Sequence, residues 1–222
     1  KPKIFDPDEA EQLRSRCQGS EAIVTAVKET EKKVKAPKLY DLTTLQREAN
    51  RIYGMTAKQT LDTAQSLYEK KLITYPRTDS QYLTEDMEQT ARNVVRQIYE
   101  KYQLTGPFDQ PEQPDVKKVM NNSKVTDHHA IIPTMELASC HLGELKAWEE
   151  KILFLIAVHT VMAMSKDHIY QETEIEVECQ EEIFKAKGKI VLQDGWKLFE
   201  NCFKNKDRMA IVDPDQEMKE RM

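Results

Sequence analysis

The stretch Glu172-Thr173-Glu174-Ile175-Glu176-Val177-Glu178-Cys179 alternates between a glutamate and a less polar side chain without a break. A period of two belongs to a β-strand, whose successive side chains point to opposite faces, so Thr173, Ile175, Val177 and Cys179 share one face, expected to be dry. Downstream, Phe184, Ala186, Gly188 and Ile190 alternate with Lys185, Lys187 and Lys189. This is the pattern of a partner strand whose lysine row lies opposite the glutamate row, at about 0.2–1 kcal/mol per opposed pair. Near the other end of the chain, EAIVTAVKETEKKVKAP (21–37) also alternates and is rich in β-branched residues. It reads as a strand from about Ala22 that ends before Pro37.

Between these strands the period changes. Leu45, Ala49, Ile52 and Tyr53 keep helical spacing up to Gly54, a C-terminal cap. Thr56 with Gln59 makes a capping box for a second helix, along which Leu61, Ala64, Leu67 and Tyr68 form an apolar stripe. Glu85, Asp86 and Glu88 cluster where a third helix begins, with Met87, Ala91, Val94, Val95 and Ile98 on its buried face. A proline-bearing loop, GPFDQPEQPDV, follows, and then LKAWEEKILFLIAVHTVMAM (145–164), apolar nearly all round, as in a helix at the centre of a bundle. The expected fold class is α+β: a β domain built from residues 1–37 and 167–222, interrupted by a bundle of about five helices over 38–166. No internal repeat or low-complexity segment occurs.

The 222 residues suffice for one or two domains with proper cores. The first residue is Lys1 and no targeting signal follows it, so a piece of a longer protein is expected. The apolar run Ile152–Val158 is too short to span a bilayer, which points to a soluble chain. Cys17, Cys140, Cys179 and Cys202 are scattered without a CxxC pair, so neither a zinc site nor a disulfide framework is indicated, and a reducing, intracellular setting fits. A net charge of −5 argues against nucleic-acid binding by bulk electrostatics. Any such role must be local, and Leu39 to Ser80 carries one positive charge in excess.

Within that segment, Tyr75-Pro76-Arg77-Thr78-Asp79-Ser80 gathers a phenol, a guanidinium, a carboxylate and two hydroxyls. Pro76 forces Tyr75 out of the α region, so the preceding helix is expected to end there. In an extended segment Tyr75 and Arg77 point to the same side. A phenol with a pKa of about 10 is a poor nucleophile at neutral pH, and a nearby cation favours its phenolate. The guanidinium fork also matches phosphate oxygens. A tyrosine that attacks a phosphodiester, with arginine neutralising the developing charge, is one coherent reading. The other is an ordinary stop and turn, with Arg77 paired to Asp79 on the surface. Further on, TDHHAIIPT supplies His128 and His129, and histidine can orient a phosphate oxygen or move a proton. On the sequence alone the favoured reading is that one of them is a loop residue and the other packs beneath Pro133. His141, His159 and His168 stand singly and receive no function.

The runs LYDLTTLQREANRIYGMTAKQTLDTAQSLYEKKLITYPRTDS and DHHAIIPT together resemble the type IA DNA topoisomerases, and are most similar to their topoisomerase III branch. The likeness is dense over Leu39–Ser80 and Asp127–Thr134, and GKIVLQDGWKLFE is similar to the family's returning β segment. It implies that Tyr75 is the nucleophile that becomes joined to a 5′-phosphate of single-stranded DNA, and that Arg77 binds the scissile phosphate. His128, rather than His129, would lie near that phosphate, and Gln65 beside the active site. Thr78, Asp79 and Ser80 would shape the loop. The resemblance also implies magnesium, bound by a Toprim domain that this sequence does not supply; IVDPDQE, with Asp213 and Asp215, reads as a solvated turn. The strand-rich part would be the arch and the helical part the tyrosine domain. The expected partner is single-stranded DNA, the expected state a monomer associated with DNA in the cytoplasm, and a helicase partner of the full-length enzyme is left open. A tyrosine recombinase would place its arginines and histidine before the tyrosine, the reverse of the order here. A DNA-binding module without catalysis, in which Tyr75 stacks on bases, is the reading from another class.

Overall fold

The computed structural model describes residues 4, 6–104, 114–200 and 203. Cys202, the Asp213–Asp215 turn and most of the proline-bearing loop lie outside the described residues. In chain order the elements are helix α1 (Pro7–Cys17), strand β1 (Ile23–Val34), helices α2 (Leu42–Tyr53), α3 (Ala57–Glu69), α4 (Glu88–Tyr102) and α5 (Ala147–Ala163), and strands β2 (His168–Cys179) and β3 (Glu182–Gln193), with short 3-10 turns between. They divide into two compact units. One holds the chain up to Val34 together with Ile169–Asp194; the other holds Lys35–His168 and the chain from Gly195.

The first unit is a three-stranded sheet in the order β1-β2-β3. Strands β2 and β3 run antiparallel, with Glu172 opposite Lys189, Glu174 opposite Lys187 and Glu176 opposite Lys185. Lys185 and Lys187 form ion pairs with Glu176 and Glu174, so the two charged rows meet as the alternation implies. The expected dry face does not form. Phe184 is 40% exposed and Ile190 63%, and Ile23, Val24 and Val27 on β1 are open as well. Alternation fixes which side chains share a face, whereas dryness needs a covering layer; of that face Thr173, Ile175 and Val177 are only half-buried, and Cys179 at the end of β2 is buried. Helix α1 has no counterpart in the sequence reading. Asp6 caps it, its carboxylate accepting the Asp8 N–H at 2.9 Å, Pro7 occupies the first turn, and no residue of the helix is buried.

The second unit carries the core. Helix α5 packs against α2, α3 and α4 and buries Ile152, Leu153, Leu155, Ile156, Ala157 and Val158, which is why its apolar residues run all round. Helix α2 opens with a capping box in which Asp41 accepts from the Thr44 N–H at 2.7 Å, and closes on left-handed Gly54. Helix α3 opens on the foreseen box, with Gln59 N donating to Thr56 Oγ1 at 3.2 Å and Thr56 N to Gln59 Oε1 at 2.9 Å. It ends at Glu69, well before Pro76, because Lys71 turns left-handed (φ 61°) and sends its N–H back to Tyr68 O. Four α-helices, rather than five, make up this unit among the described residues.

Gly195–Glu200, which the sequence reading assigns to the β domain, packs with the helices instead. Phe199 is buried in the helical core and Trp196 N donates to Lys166 O at 2.9 Å. The turn depends on Gly195, left-handed at φ 54°, where a Cβ would fall 2.3 Å from the Asp167 carbonyl oxygen.

Candidate active site

Beyond Lys71 the chain runs beside the segment that carries the histidines. Ile73 forms an antiparallel bridge with Pro133, and Thr74 N donates to Ile132 O at 3.0 Å. Side-chain hydroxyls complete the attachment. Thr74 Oγ1 donates to Ala130 O at 2.9 Å and accepts the Ile132 N–H at 3.0 Å. Thr78 Oγ1 donates to His128 O at 2.9 Å, and Ser80 Oγ to Lys124 O at 2.9 Å. Thr134 Oγ1 donates to Lys71 O. Each hydroxyl satisfies a carbonyl that regular secondary structure leaves unpaired, so both segments are held in one shape.

Along this strap, burial alternates. Pro76, Thr78 and Ser80 point inward, while Tyr75 is half-buried and Arg77 and Asp79 are exposed. The Tyr75 ring lies 4.3 Å from the His128 ring, tilted by 46°, and meets Tyr68 edge-on at 5.3 Å. Arg77 and His128 line one cleft of about 480 Å³ together with Asp41, Leu42, Thr43, Thr78, Asp79, Thr126 and Asp127. Among the described residues, no hydrogen bond or ion pair occupies the Tyr75 hydroxyl or the Arg77 guanidinium, so the surface pair between Arg77 and Asp79 does not form.

Asp41, Leu42 and Thr43 are the N-cap and first turn of α2, so a helix N-terminus opens on the cleft, a position that favours an anion. Three aspartates also line it, so bulk charge does not favour phosphate there. What favours it is directional: an uncommitted guanidinium, a helix N-terminus and an imidazole.

His129 is half-buried, its Nδ1 2.9 Å from Ala130 O, and it is not among the residues lining the cleft. Gln65 sits on the face of α3 that carries Tyr68 and Glu69, its Nε2 donating to Glu69 Oε1 at 3.3 Å. It is not among the residues lining the cleft. Tyr68, read from the sequence as part of an apolar stripe, is 39% exposed and stands against Tyr75. Its spacing from Gln65 is the signal that could have placed it at the site. Among the described residues, no three His, Cys, Asp or Glu side chains converge to hold a metal ion.

Helix α3 is anchored just before the strap. Glu149, 3% exposed in its side chain, accepts from Ser66 Oγ and Lys70 Nζ at 2.6 Å each and from Lys146 N at 2.9 Å. Burial opposes its charge, but Lys70, Ser66 and the Lys146 N–H outweigh it and bring the carboxyl down to about 2. A larger cavity of about 720 Å³, lined by Arg47, Arg51, Trp196 and His159, does not include Tyr75. His159 stacks on Tyr40 at 3.7 Å, and burial brings it down to about 4 against the Lys38 carbonyl that accepts from its Nε2. No helix among the described residues is long and apolar enough to cross a membrane.

The chain as a whole is similar to known proteins. A family model described as DNA topoisomerase matches residues 1–220. DNA topoisomerase 3 of Bacillus subtilis is 40% identical over 198 residues, covering 88% of this chain and 27% of that protein. DNA topoisomerase 3 of Bacillus cereus is 34% identical over 217 residues, covering 92% of this chain and 28% of that protein. Full-length topoisomerase I from Thermotoga maritima superposes with a TM-score of 0.65 at 26% identity, over 89% of this chain and 32% of that one. The chain thus spans about a quarter of the length of these curated relatives. On the family model and these relatives together, this chain belongs to the type IA DNA topoisomerase family.

Proposed function

We propose that the helical unit carries the cleavage tyrosine of an ATP-independent DNA topoisomerase, inserted between the two parts of a β arch. In this reading Tyr75 Oη attacks a backbone phosphorus of single-stranded DNA, the 3′ oxygen leaves, and the 5′-phosphate remains on the tyrosine. Attack by the freed 3′ hydroxyl reverses the step. One ester replaces another, so resealing needs no external energy, and a second strand passes while the gate is open. Arg77 holds the non-bridging oxygens as charge builds on them. His128 orients the same phosphate or takes up a proton in transit. His129 stays out of the reaction, Gln65 supports the site from α3, and Thr78 and Ser80 hold its shape.

The observation that supports this reading best is the ring contact of Tyr75 with His128, which shares its cleft with Arg77. The carboxylates for the magnesium ion of the reaction are taken to come from residues outside these 222, so the chain alone relaxes no supercoiled DNA. In the complete enzyme the outcome is relaxation of negative supercoils or decatenation, in the cytoplasm, by a monomer with or without a helicase.

The test is capture of DNA on a denaturing gel. The complete enzyme should yield a 5′-phosphotyrosyl adduct that Tyr75→Phe abolishes while single-strand binding persists. An adduct that survives in Tyr75→Phe would refute the assignment. Binding with no adduct in the unsubstituted enzyme would favour the non-catalytic module, in which the exposed Tyr68 and the half-buried Tyr75 offer stacking surfaces.

A further inference from the structure

The sheet unit holds a pair of thiols that the cleavage chemistry does not use. Cys17 is the last residue of α1 and Cys179 the last of β2. Cys17 Sγ lies 3.7 Å from Cys179 O, and Cys179 Sγ lies 3.8 Å from Cys17 O. Such reciprocal contacts require the two residues to lie side by side. Beside the pair, the neighbouring Arg16 forms an ion pair with Glu182 at 3.1 Å, at the start of β3. Cys17 is half-buried and Cys179 is buried at 6% exposure, so a small oxidant has access to the first and little to the second. No disulfide joins them in this structure.

We propose that Cys17 and Cys179 form a reversible disulfide, a redox-controlled cross-link that fastens α1 to the β2–β3 hairpin. The oxidant is a low-molecular-weight disulfide such as oxidised glutathione. The Cys17 thiolate attacks one of its sulfurs and expels one glutathione thiolate, leaving a mixed disulfide on Cys17. The Cys179 thiolate then attacks Cys17 Sγ, expels the second glutathione thiolate and completes the bond. The two cysteine protons end on the two released glutathiones, so the reaction balances, and excess reduced glutathione reverses it. Burial pushes the Cys179 thiol up, and Cys17 beside it adds to the effect. The closed loop of chain runs from Gln18 to Glu178 and includes Tyr75 and His128. Loop closure on that scale restrains the unfolded chain strongly.

The test is to equilibrate the 222-residue chain with glutathione buffers of graded oxidation, block remaining thiols with an alkylating agent, and map the peptides by mass spectrometry. The expected product is one intramolecular link between the peptides containing Cys17 and Cys179, forming at least ~10-fold faster than any link to Cys140 or Cys202. The thermal midpoint should rise by several degrees on oxidation and return on reduction. A chain with Cys140→Ser and Cys202→Ser should behave alike, and Cys17→Ser should lose both link and shift. Stable glutathione adducts without an internal link, a link through Cys140 or Cys202, or an oxidised chain with an unmoved midpoint would each overturn the proposal. The mapping on the unsubstituted chain stands even if a serine variant fails to fold.

Discussion

Replacing Glu149 with glutamine removes the charge from a buried carboxylate that joins α5 to the end of α3 just before the tyrosine strap. Its folded-state carboxyl is held at about 2 against an ordinary 4.5, which corresponds to ~3 kcal/mol favouring the charged form in the folded state. Lys70, its cationic partner, is 40% exposed in its side chain and regains water when the carboxylate is lost. Screening therefore brings the expected cost of Glu149→Gln at pH 7 to ~2–3 kcal/mol. Because the folded-state pKa is depressed, this stabilisation is complete above pH 4.5 and is lost as the pH falls towards 2. Urea unfolding of the two proteins from pH 7 to pH 2 should give midpoints that differ at neutral pH and converge in acid. Carboxyl ¹³C NMR, assigned by difference with the variant, should place the Glu149 titration below about 3. A titration at about 4 or above, or a cost under about 1 kcal/mol at pH 7, would refute the clamp.

In the complete enzyme, Arg77→Ala should slow adduct formation by about two to three orders of magnitude without abolishing it, as expected for loss of a ~2–4 kcal/mol charge-assisted contact in the transition state; unchanged single-turnover rates would rule that contact out. His128→Ala should be milder, and His129→Ala nearly silent in the same assay; the reverse order would reassign the phosphate contact. Gly195→Ala should lower stability by ~2–3 kcal/mol, since it puts a Cβ into the Asp167 carbonyl at a left-handed backbone position, as read by thermal unfolding. His159, lowered to about 4, should remain neutral through pH 5 in an imidazole NMR titration. Its folded-state pKa lies below the ordinary 6.5, so its contribution to stability falls as the pH drops from 6.5 towards 4.

Much of this was legible because the signals were local. The Glu and Lys rows define strand faces over a few residues, and Thr56 with Gln59, like Gly54, marks helix ends through contacts within one turn. Helix α1 escaped because it buries nothing and so shows no apolar period, although Asp6 and Pro7 marked its start. The end of α3 was misplaced at Pro76 because the residue that turns left-handed is Lys71, not a glycine. Proximity of Tyr75 to His128 could not be read from either segment, since the hydroxyl contacts that bring them together span 44 residues or more. Nor could the open face of the sheet, because periodicity says nothing about whether a second layer exists.

Those hydroxyl contacts also bear on mechanical load. In the proposed reaction, a strand joined covalently to Tyr75 would pull on the backbone at that residue whenever the two DNA ends are drawn apart. Thr74 and Thr78 lie on either side of it and anchor to carbonyls of one and the same neighbouring segment, at Ala130 and His128. Tension applied between two anchors is shared by them rather than unzipping one after the other, and it passes through Ile73 and Pro133 towards the buried helices. The loop that bears the tyrosine is thereby a fixed post, and tension that leaves it intact does not separate Tyr75 from His128.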